Sequence, residues 1–310
     1  MNRLIKKWRS GDVDHLLGYA ALLLAIVLFS TVEVASKAWG TGVPPFLLAS
    51  LRFLIAGIVL FVPAIRLIRL RVTPFTWKDY RVFLFMGVFG VSFSIGIYHL
   101  AIDYLQANVA AVVFSANPAF VVLFSPWILH EKMTWRKFFG VFVGLSGVLI
   151  FAFKGGRLDA SSLPGLSLMA VALITFALYT VLSKKFMANY GAVVLLCMAS
   201  LVGGAILLPI SWLVEGNPLP HLCHGSWVGI AYLGIMATAI PYWAFFFGVV
   251  NVGATHGSMF FFLKPAMASV FAWYFLAEAI TPRIITGSVL VIMALFCALV
   301  PIRKRRKECC

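Results

Sequence analysis

The sequence has few charged residues and very few acidic ones. Charged side chains make up 11% of its 310 residues, and only 10 residues are Asp or Glu. In ordinary soluble domains, about a quarter of the residues are charged. Because 62% of the residues are hydrophobic, the chain has more apolar surface than a soluble fold can bury, which excludes a soluble globular protein.

Patterns typical of catalysis, metal binding or nucleotide binding are also missing. The five cysteines form no CxxC pair, and the HLCH stretch at 221–224 has no fourth ligand for a zinc ion. No Walker loop, dinucleotide fingerprint or nucleophile elbow occurs in a suitable setting. We therefore expect no metal, no cofactor and no enzymatic activity, since a membrane enzyme needs acidic and histidine side chains clustered at one membrane face.

The sequence instead contains ten apolar runs of about 20 residues, the length that crosses a bilayer as a helix. We number them spans 1 to 10, and they cover residues 16–38, 45–65, 79–101, 107–130, 134–153, 164–183, 190–213, 226–250, 256–277 and 281–302. The predicted fold is an all-α integral membrane protein with ten transmembrane helices.

The net charge of +15 follows from this topology. If the N and C termini are cytoplasmic, 19 basic residues fall on the cytoplasmic side and 4 on the outside, as the positive-inside rule requires. The basic residues are spread between spans and do not form one basic face, so we expect no nucleic-acid partner. The predicted location is the inner (plasma) membrane, with lipid around the protein.

The second half of the sequence repeats the first at an offset of 147 residues. Residues 114–140 align without a gap with 261–287, and nine of these 27 positions are identical. Identical pairs across the chain include Gly18/Gly165, Phe29/Phe176, Ser36/Ser183, Gly57/Gly204, Phe114/Phe261, Pro118/Pro265 and Glu131/Glu278. An internal repeat over almost the whole chain indicates two copies of one structural unit.

Because each copy holds five spans, the second copy enters the membrane inverted relative to the first. This arrangement gives a pseudo-two-fold axis in the membrane plane, which is typical of secondary transporters. We divide the chain into a first repeat at 1–153, a second at 164–302 and a basic cytoplasmic tail at 303–310.

The two copies of a Pro-containing helix, a Glu, a Thr and a Gly-rich helix resemble a known family. The stretches NPAFVVLFSPWILHEKMTWRKFFG and KPAMASVFAWYFLAEAITPRIITG carry this signature, which resembles the ten-helix EamA-type branch of the drug/metabolite transporter superfamily, including its aromatic amino acid exporters. The resemblance covers nearly the whole chain. It implies a central cavity between spans 1–4 and 6–9, and export of small metabolites from a bacterial cytoplasm.

Lys264 is the leading candidate for substrate binding. It lies about ten residues into span 9, near the bilayer midplane, where an ionisable side chain costs about 3 kcal/mol or more. Its repeat equivalent is Asn117, at a similar depth in span 4. We expect Lys264 to hold an anionic group such as a carboxylate, with Asn117 hydrogen-bonding beside it. The structural alternative is a lysine that snorkels or binds a backbone carbonyl freed by Pro265.

Glu33 and Arg52 lie at comparable depths in spans 1 and 2, so we expect them to form an ion pair. The pair either joins two helices or makes Glu33 a proton-coupling carboxylate. Pro118 and Pro265 each free a backbone carbonyl and predict kinks, which serve either as hinges or only in packing.

Several aromatic and imidazole side chains are candidates for the cavity wall. The candidates are Tyr98, His99, Tyr179, Trp243 and Phe261. Most aromatic residues in such chains serve packing or interfacial belts, so only some of these are expected to line a site for an apolar or aromatic substrate.

The sequence thus predicts a secondary carrier with alternating access that exports small metabolites, amino acids first. A multidrug or cationic-compound exporter is the alternative, and a membrane enzyme is a weaker one. Protons are a candidate coupling ion, and small residues such as Gly140 and Gly144 are compatible with either a monomer or a homodimer.

Overall fold

The computed structural model describes residues 2–39, 43–71, 74–105, 107–131, 163–217 and 227–277, together with single positions at 134–146, 220 and 282–293. Most of spans 5 and 10 and the whole tail at 303–310 fall outside the described residues, as do Gly140 and Gly144. The count of ten spans, the repeat boundaries and the cytoplasmic location of both termini therefore stay predictions.

The described residues form helices that are long and apolar enough to cross a membrane. There are seven among them: Asp14–Trp39, Pro45–Arg69, Trp77–Tyr104, Leu163–Tyr190, Ala192–Glu215, Trp227–Val252 and Ala254–Leu276. They correspond to predicted spans 1–3 and 6–9. Span 4 consists of two shorter helices, Ala107–Phe114 and Asn117–Leu129.

Local sequence explains where several of these helices begin. Span 2 starts with Pro45, whose missing N–H would be unbonded at that position in any case. Span 3 starts with a capping box, in which the Asp79 carboxylate accepts a hydrogen bond from the backbone N–H of Thr76 at 2.6 Å.

Five of the described spans are interrupted, and two kinds of interruption recur in both repeats. Span 1 is divided into Asn2–Phe29 and Val32–Trp39. Span 3 contains a π-helical segment between its two α-helices, in the order Trp77–Phe85, Met86–Ile95 and Gly96–Tyr104. The equivalent span 8 does the same, in the order Trp227–Gly234, Ile235–Ala239 and Ile240–Val252. Span 9, equivalent to span 4, runs through Ala254–Met259, a 3₁₀ turn at Phe260–Leu263 and Lys264–Leu276.

Glycine contacts show how the two repeats pack together. A Cβ atom on Gly57 would lie 2.6 Å from Leu201, and one on the equivalent Gly204 would lie 2.9 Å from Leu54, the residue equivalent to Leu201. The close approaches of Gly18 to Val252 and of Gly165 to Leu105 are related in the same way. Equivalent residues make equivalent contacts across the two repeats, which is the relationship that a pseudo-two-fold axis produces.

Hydrogen bonds at the two ends of the helices agree with the predicted topology. Lys37 Nζ donates to the carbonyl oxygen of Leu105 at 2.7 Å, and the Glu215 carboxylate accepts from the backbone N–H of Phe46 at 2.6 Å. At the opposite end, hydrogen bonds join Tyr190 to Asp79 and Lys184 to Glu131. Each bond joins segments that the predicted topology places on the same side of the membrane.

Candidate functional site

A small cavity of about 20 Å³ lies where spans from both repeats meet. Six of the residues that line it are three pairs of repeat equivalents: Phe29 with Phe176, Phe114 with Phe261, and Ile95 with Tyr242. The others are Val32, Arg52, Tyr98 and Lys264. Because both members of three equivalent pairs line it, the cavity lies on the pseudo-two-fold axis.

The aromatic side chains of the cavity pack on one another. The ring centroids of Phe29 and Tyr242 are 4.9 Å apart in an edge-to-face arrangement, and those of Phe114 and Phe176 are 5.1 Å apart. Phe261 lies within 6.0 Å of Phe114. These separations are typical of favourable aromatic pairs, so the wall is an interlocking aromatic surface suited to an apolar ligand group.

Lys264 forms a buried ion pair with Glu33 that joins span 9 to span 1. The hydroxyl of Tyr98 donates a hydrogen bond to the same carboxylate oxygen, Glu33 Oε1, at 2.5 Å, and Lys264 Nζ lies 3.3 Å from that hydroxyl. Lys264 Nζ also lies 4.9 Å from the centre of the Phe114 ring. The lysine thus neither snorkels nor binds a freed carbonyl: its charge is balanced by a carboxylate inside the protein.

The expected ion pair between Glu33 and Arg52 is therefore wrong. Glu33 binds Lys264, whereas Arg52 binds three neutral acceptors: Thr238 Oγ1, His99 Nε2 at 2.9 Å and the carbonyl oxygen of Ala237 at 2.9 Å. The prediction compared the membrane depths of the backbone positions of Glu33 and Arg52. It did not take the length of the Lys264 side chain into account. That side chain reaches Glu33 from the start of its helix.

Arg52 is held by the π-helical segment of span 8. Ala237 and Thr238 both belong to this segment, and a π turn changes the direction of the backbone groups that an α-helix would keep bonded. Because His99 accepts from the guanidinium through Nε2, its imidazole is neutral, with the ring proton on Nδ1. The sequence contained no signal for this π segment.

Asn117 does not contact Lys264 through a hydrogen bond. It is fully buried at the start of helix Asn117–Leu129, and neither its amide nitrogen nor its amide oxygen has a hydrogen-bond partner. Pro118 and Pro265 occupy the first turns of Asn117–Leu129 and Lys264–Leu276, directly after the interruptions in spans 4 and 9. The helices are thus interrupted where the two prolines predict, and a hinge role remains a proposal.

The remaining predicted side chains divide between the cavity and its surroundings. Tyr98 and Phe261 line the cavity, whereas His99 lies behind Arg52. Tyr179 is buried outside the lining, where its ring covers Gly90 and contacts Phe246. Trp243 is 40% exposed and stacks on Phe247, so the expectation that it lines the cavity is wrong. A helix brings only one face to a cavity, and Trp243 is rotated by about 100° around the helix axis from Tyr242, which lines the cavity.

Six lining residues are not among the candidates predicted from the sequence: Phe29, Val32, Ile95, Phe114, Phe176 and Tyr242. A signal for four wall positions was present, because Phe29/Phe176 and Phe114/Phe261 are aromatic at equivalent positions of both repeats.

A second polar cluster closes the helix bundle away from the cavity. The Glu131 carboxylate binds Lys184 Nζ at 2.7 Å, the backbone N–H of Ala254 at 3.0 Å and the hydroxyl of Thr255 at 2.8 Å. Partial burial acts to raise the pKa of Glu131, but the hydrogen bond and charge of Lys184, with the bonds from Thr255 and Ala254, outweigh it and lower this pKa to about 2. Glu131 therefore joins spans 4, 6 and 9.

Comparison with known proteins places this architecture in a family. The model of the EamA-like transporter family matches the sequence twice, over residues 16–153 and 163–300. A protein of *Clostridium kluyveri* named as an uncharacterized transporter is 30% identical over 283 residues, which cover 89% of this chain and 91% of that protein.

Other relatives carry similar names. An uncharacterized transporter of Archaeoglobus fulgidus is 28% identical, with 93% of this chain and 99% of that protein covered. The uncharacterized transporter YdfC of Bacillus subtilis is 25% identical, with 87% and 86% covered. A crystal structure matches with a TM-score of 0.73 and 22% identity, covering 96% of this chain and 99% of the other, which establishes similarity of fold alone.

Proposed function

The chain belongs to the EamA-like transporter family and is a multi-pass inner-membrane protein, and on this premise we propose that it is a secondary carrier that exports a small carboxylate-bearing metabolite. Amino acids are the first class to test. The carrier works by alternating access, in which the two repeats rock around a central site.

One observation carries this proposal: the cavity is lined by both members of three repeat-equivalent pairs and by two cationic side chains. Residues on a pseudo-two-fold axis are equally distant from the two membrane faces, so either face can open onto them. Arg52 and Lys264 supply the positive charge, and the phenylalanine rings supply an apolar wall. A molecule with a carboxylate and an apolar body fits both features.

The charge of the cavity favours a carboxylate-bearing substrate over a cationic compound. Two cations and one anion, Glu33, lie in or against the cavity, which opposes binding of a cationic compound. Among the described residues there is no group of three or more His, Cys, Asp or Glu side chains that would hold a metal ion.

We assign proposed roles to the predicted side chains on this basis. Lys264, Tyr98 and Phe261 contact the substrate, and Asn117 supplies hydrogen-bonding groups when the repeats move. Pro118 and Pro265 act as hinges beside the helix interruptions. Protons are the proposed coupling ion, and Glu33 carries the proton.

Counterflow into liposomes tests the carrier. Purified protein is reconstituted into vesicles loaded with an unlabelled amino acid, and the uptake of the same labelled amino acid is followed over time. We expect saturable exchange in the wild type, a loss of exchange in Lys264→Ala, and wild-type exchange in Lys185→Ala, whose side chain is exposed. A lack of saturable exchange for every amino acid and every other carboxylate would refute the proposal.

The same vesicles test proton coupling. An outward or inward pH difference is imposed, and accumulation of the labelled substrate against its own gradient is measured for the wild type and for Glu33→Gln. We expect the pH difference to drive accumulation in the wild type and not in Glu33→Gln. Exchange that is indifferent to the pH difference would assign Glu33 a structural role alone.

A further inference from the structure

Arg52 is a buried cation without a carboxylate partner. Its side chain is 2% exposed and lines the cavity, and the described part of the chain provides it with no ion pair. Its three hydrogen bonds all go to neutral acceptors. A buried charge balanced only by dipoles is costly in a membrane protein and marks a functional site.

Two N–H groups of the Arg52 guanidinium are not used by these three hydrogen bonds. Arginine carries five N–H groups, and Thr238, His99 and Ala237 use one on Nε, one on Nη1 and one on Nη2. One N–H therefore remains on each terminal nitrogen. Donors on one planar guanidinium can bind the two oxygens of a carboxylate, so Arg52 is held in place while one N–H on each terminal nitrogen stays available.

The charge of the site is the second observation. Lys264 is balanced by Glu33, so Arg52 leaves the site with one positive charge in excess. A ligand with one negative charge makes the loaded site neutral. A zwitterion leaves the excess charge in place, and a cation raises it to two, which is increasingly unfavourable where the dielectric constant is low.

The lining also lacks a group for an ammonium ion. No carboxylate is among the ten lining residues. Glu33 is fully buried and is not among them; its Oε1 is occupied by Lys264 and Tyr98, and its Oε2 is buried without a hydrogen-bond partner. The α-ammonium group of an amino acid would meet aromatic faces and hydroxyl groups, close to two cations.

We infer that Arg52, positioned by His99 and by the π-helical segment of span 8, binds the substrate carboxylate while Lys264 stays paired with Glu33 beside it, and that, within the carboxylate-bearing metabolites proposed above, the carrier selects monocarboxylates of net charge −1 with an apolar or aromatic body over zwitterionic amino acids. This inference rests on the proposed function and narrows its substrate class. The apolar body lies against Phe29, Phe114, Phe176 and Phe261.

A charge series with one carbon skeleton tests the selectivity in the wild type. The probes are 3-phenylpropionate, L-phenylalanine and 2-phenylethylamine, which carry charges of −1, 0 and +1 at neutral pH. Each competes with labelled 3-phenylpropionate in liposomes that contain the full chain. We expect 3-phenylpropionate to compete at a concentration at least tenfold lower than L-phenylalanine, and 2-phenylethylamine not to compete. Equal or stronger competition by L-phenylalanine would overturn the selectivity.

Two variants of Arg52 and a control variant test whether Arg52 binds the anion. Arg52→Gln keeps hydrogen-bonding groups and removes the charge, so the half-saturation concentration for 3-phenylpropionate should rise at least tenfold. Arg52→Lys keeps the charge, so its half-saturation concentration should rise less than that of Arg52→Gln. Arg69→Gln, an exposed position on the same helix, should behave as the wild type. A change below twofold in Arg52→Gln would overturn the assignment, and so would a greater loss in Arg52→Lys.

The readouts separate a failed inference from a failed proposal. Saturable exchange of L-phenylalanine with weak competition by 3-phenylpropionate would retain the carrier and reject the charge selectivity. If Arg52→Gln does not fold, as judged by size-exclusion elution, the wild-type charge series decides the inference alone.

Discussion

Lys264 and Asn117 occupy equivalent positions of the two repeats, but only Lys264 has a partner. Lys264 is ion-paired with Glu33, whereas both polar atoms of the Asn117 amide are buried without a hydrogen bond. The position equivalent to Glu33 is Thr180, so the symmetry-related counterpart of the charged pair Glu33 and Lys264 is the neutral combination of Thr180 and Asn117. The symmetric scaffold thus holds an asymmetric site.

The ion pair predicts a non-additive effect on stability. Lys264→Met leaves Glu33 as an unpaired buried charge, which costs about 3–5 kcal/mol. We expect the double variant Glu33→Gln with Lys264→Met to melt at a higher temperature in detergent than Lys264→Met alone, because it removes both charges. A double variant that loses the sum of the two single effects would contradict the pairing.

Removal of the Tyr98 hydroxyl should lower the stability less than removal of the Lys264 charge. Its hydroxyl donates to an ionised carboxylate, and a hydrogen bond to a charged group contributes about 1.5–3 kcal/mol. Tyr98→Phe should therefore lower the melting temperature measurably, whereas Tyr80→Phe, at an exposed tyrosine, should not. Equal melting temperatures for the two variants would argue against the bond from Tyr98 to Glu33.

The crossing of spans 2 and 7 predicts sensitivity to a single added side chain. A Cβ atom on Gly204 would lie 3.1 Å from the carbonyl oxygen of Ser50 and 3.0 Å from the backbone nitrogen of Leu54, and backbone atoms cannot move away cheaply. Gly204→Val should cost about 1–3 kcal/mol or more through overpacking. Ala205→Val, exposed on the same helix, is the matched control, and a similar melting temperature for both variants would refute this packing.

Glu131 predicts a pH dependence of stability. Its pKa falls from 4.5 to about 2 in the folded protein, so its contribution is fully present above pH 4.5 and is lost as the pH falls through about 2. Glu131→Gln should therefore be less stable than the wild type at pH 7, and this difference should shrink between pH 4.5 and pH 2. Melting curves of both proteins across that range measure it; a constant difference would contradict the lowered pKa.

The sequence predicted the membrane spans well because their signal is physical and local. A bilayer requires about 20 apolar residues per helix, and spans 2 and 7, predicted at 45–65 and 190–213, are observed as Pro45–Arg69 and Ala192–Glu215. The repeat was equally visible, since Gly57 and Gly204 are identical and make equivalent contacts.

The site was harder to predict because it depends on side-chain reach and helix rotation. Depth along a span does not tell which partner a long side chain such as Lys264 will reach, so Glu33 was assigned to Arg52. Apolarity on all sides of a membrane helix also hides which face is inward, so Trp243 was expected in the cavity in place of its neighbour Tyr242. The π segment that holds Arg52 had no sequence signal.

The neutral equivalents of Glu33 and Lys264 have a consequence for the direction of transport. In a perfectly symmetric carrier, the two-fold axis would convert the outward-facing form into the inward-facing form, so the two forms would have equal energy. In this chain the charged pair lies between spans 1 and 9, and the equivalent interface between spans 6 and 4 carries Thr180 and Asn117. In the proposed carrier, opening the first interface would separate charges and opening the second would not, so we expect the empty carrier to rest on one side of the membrane.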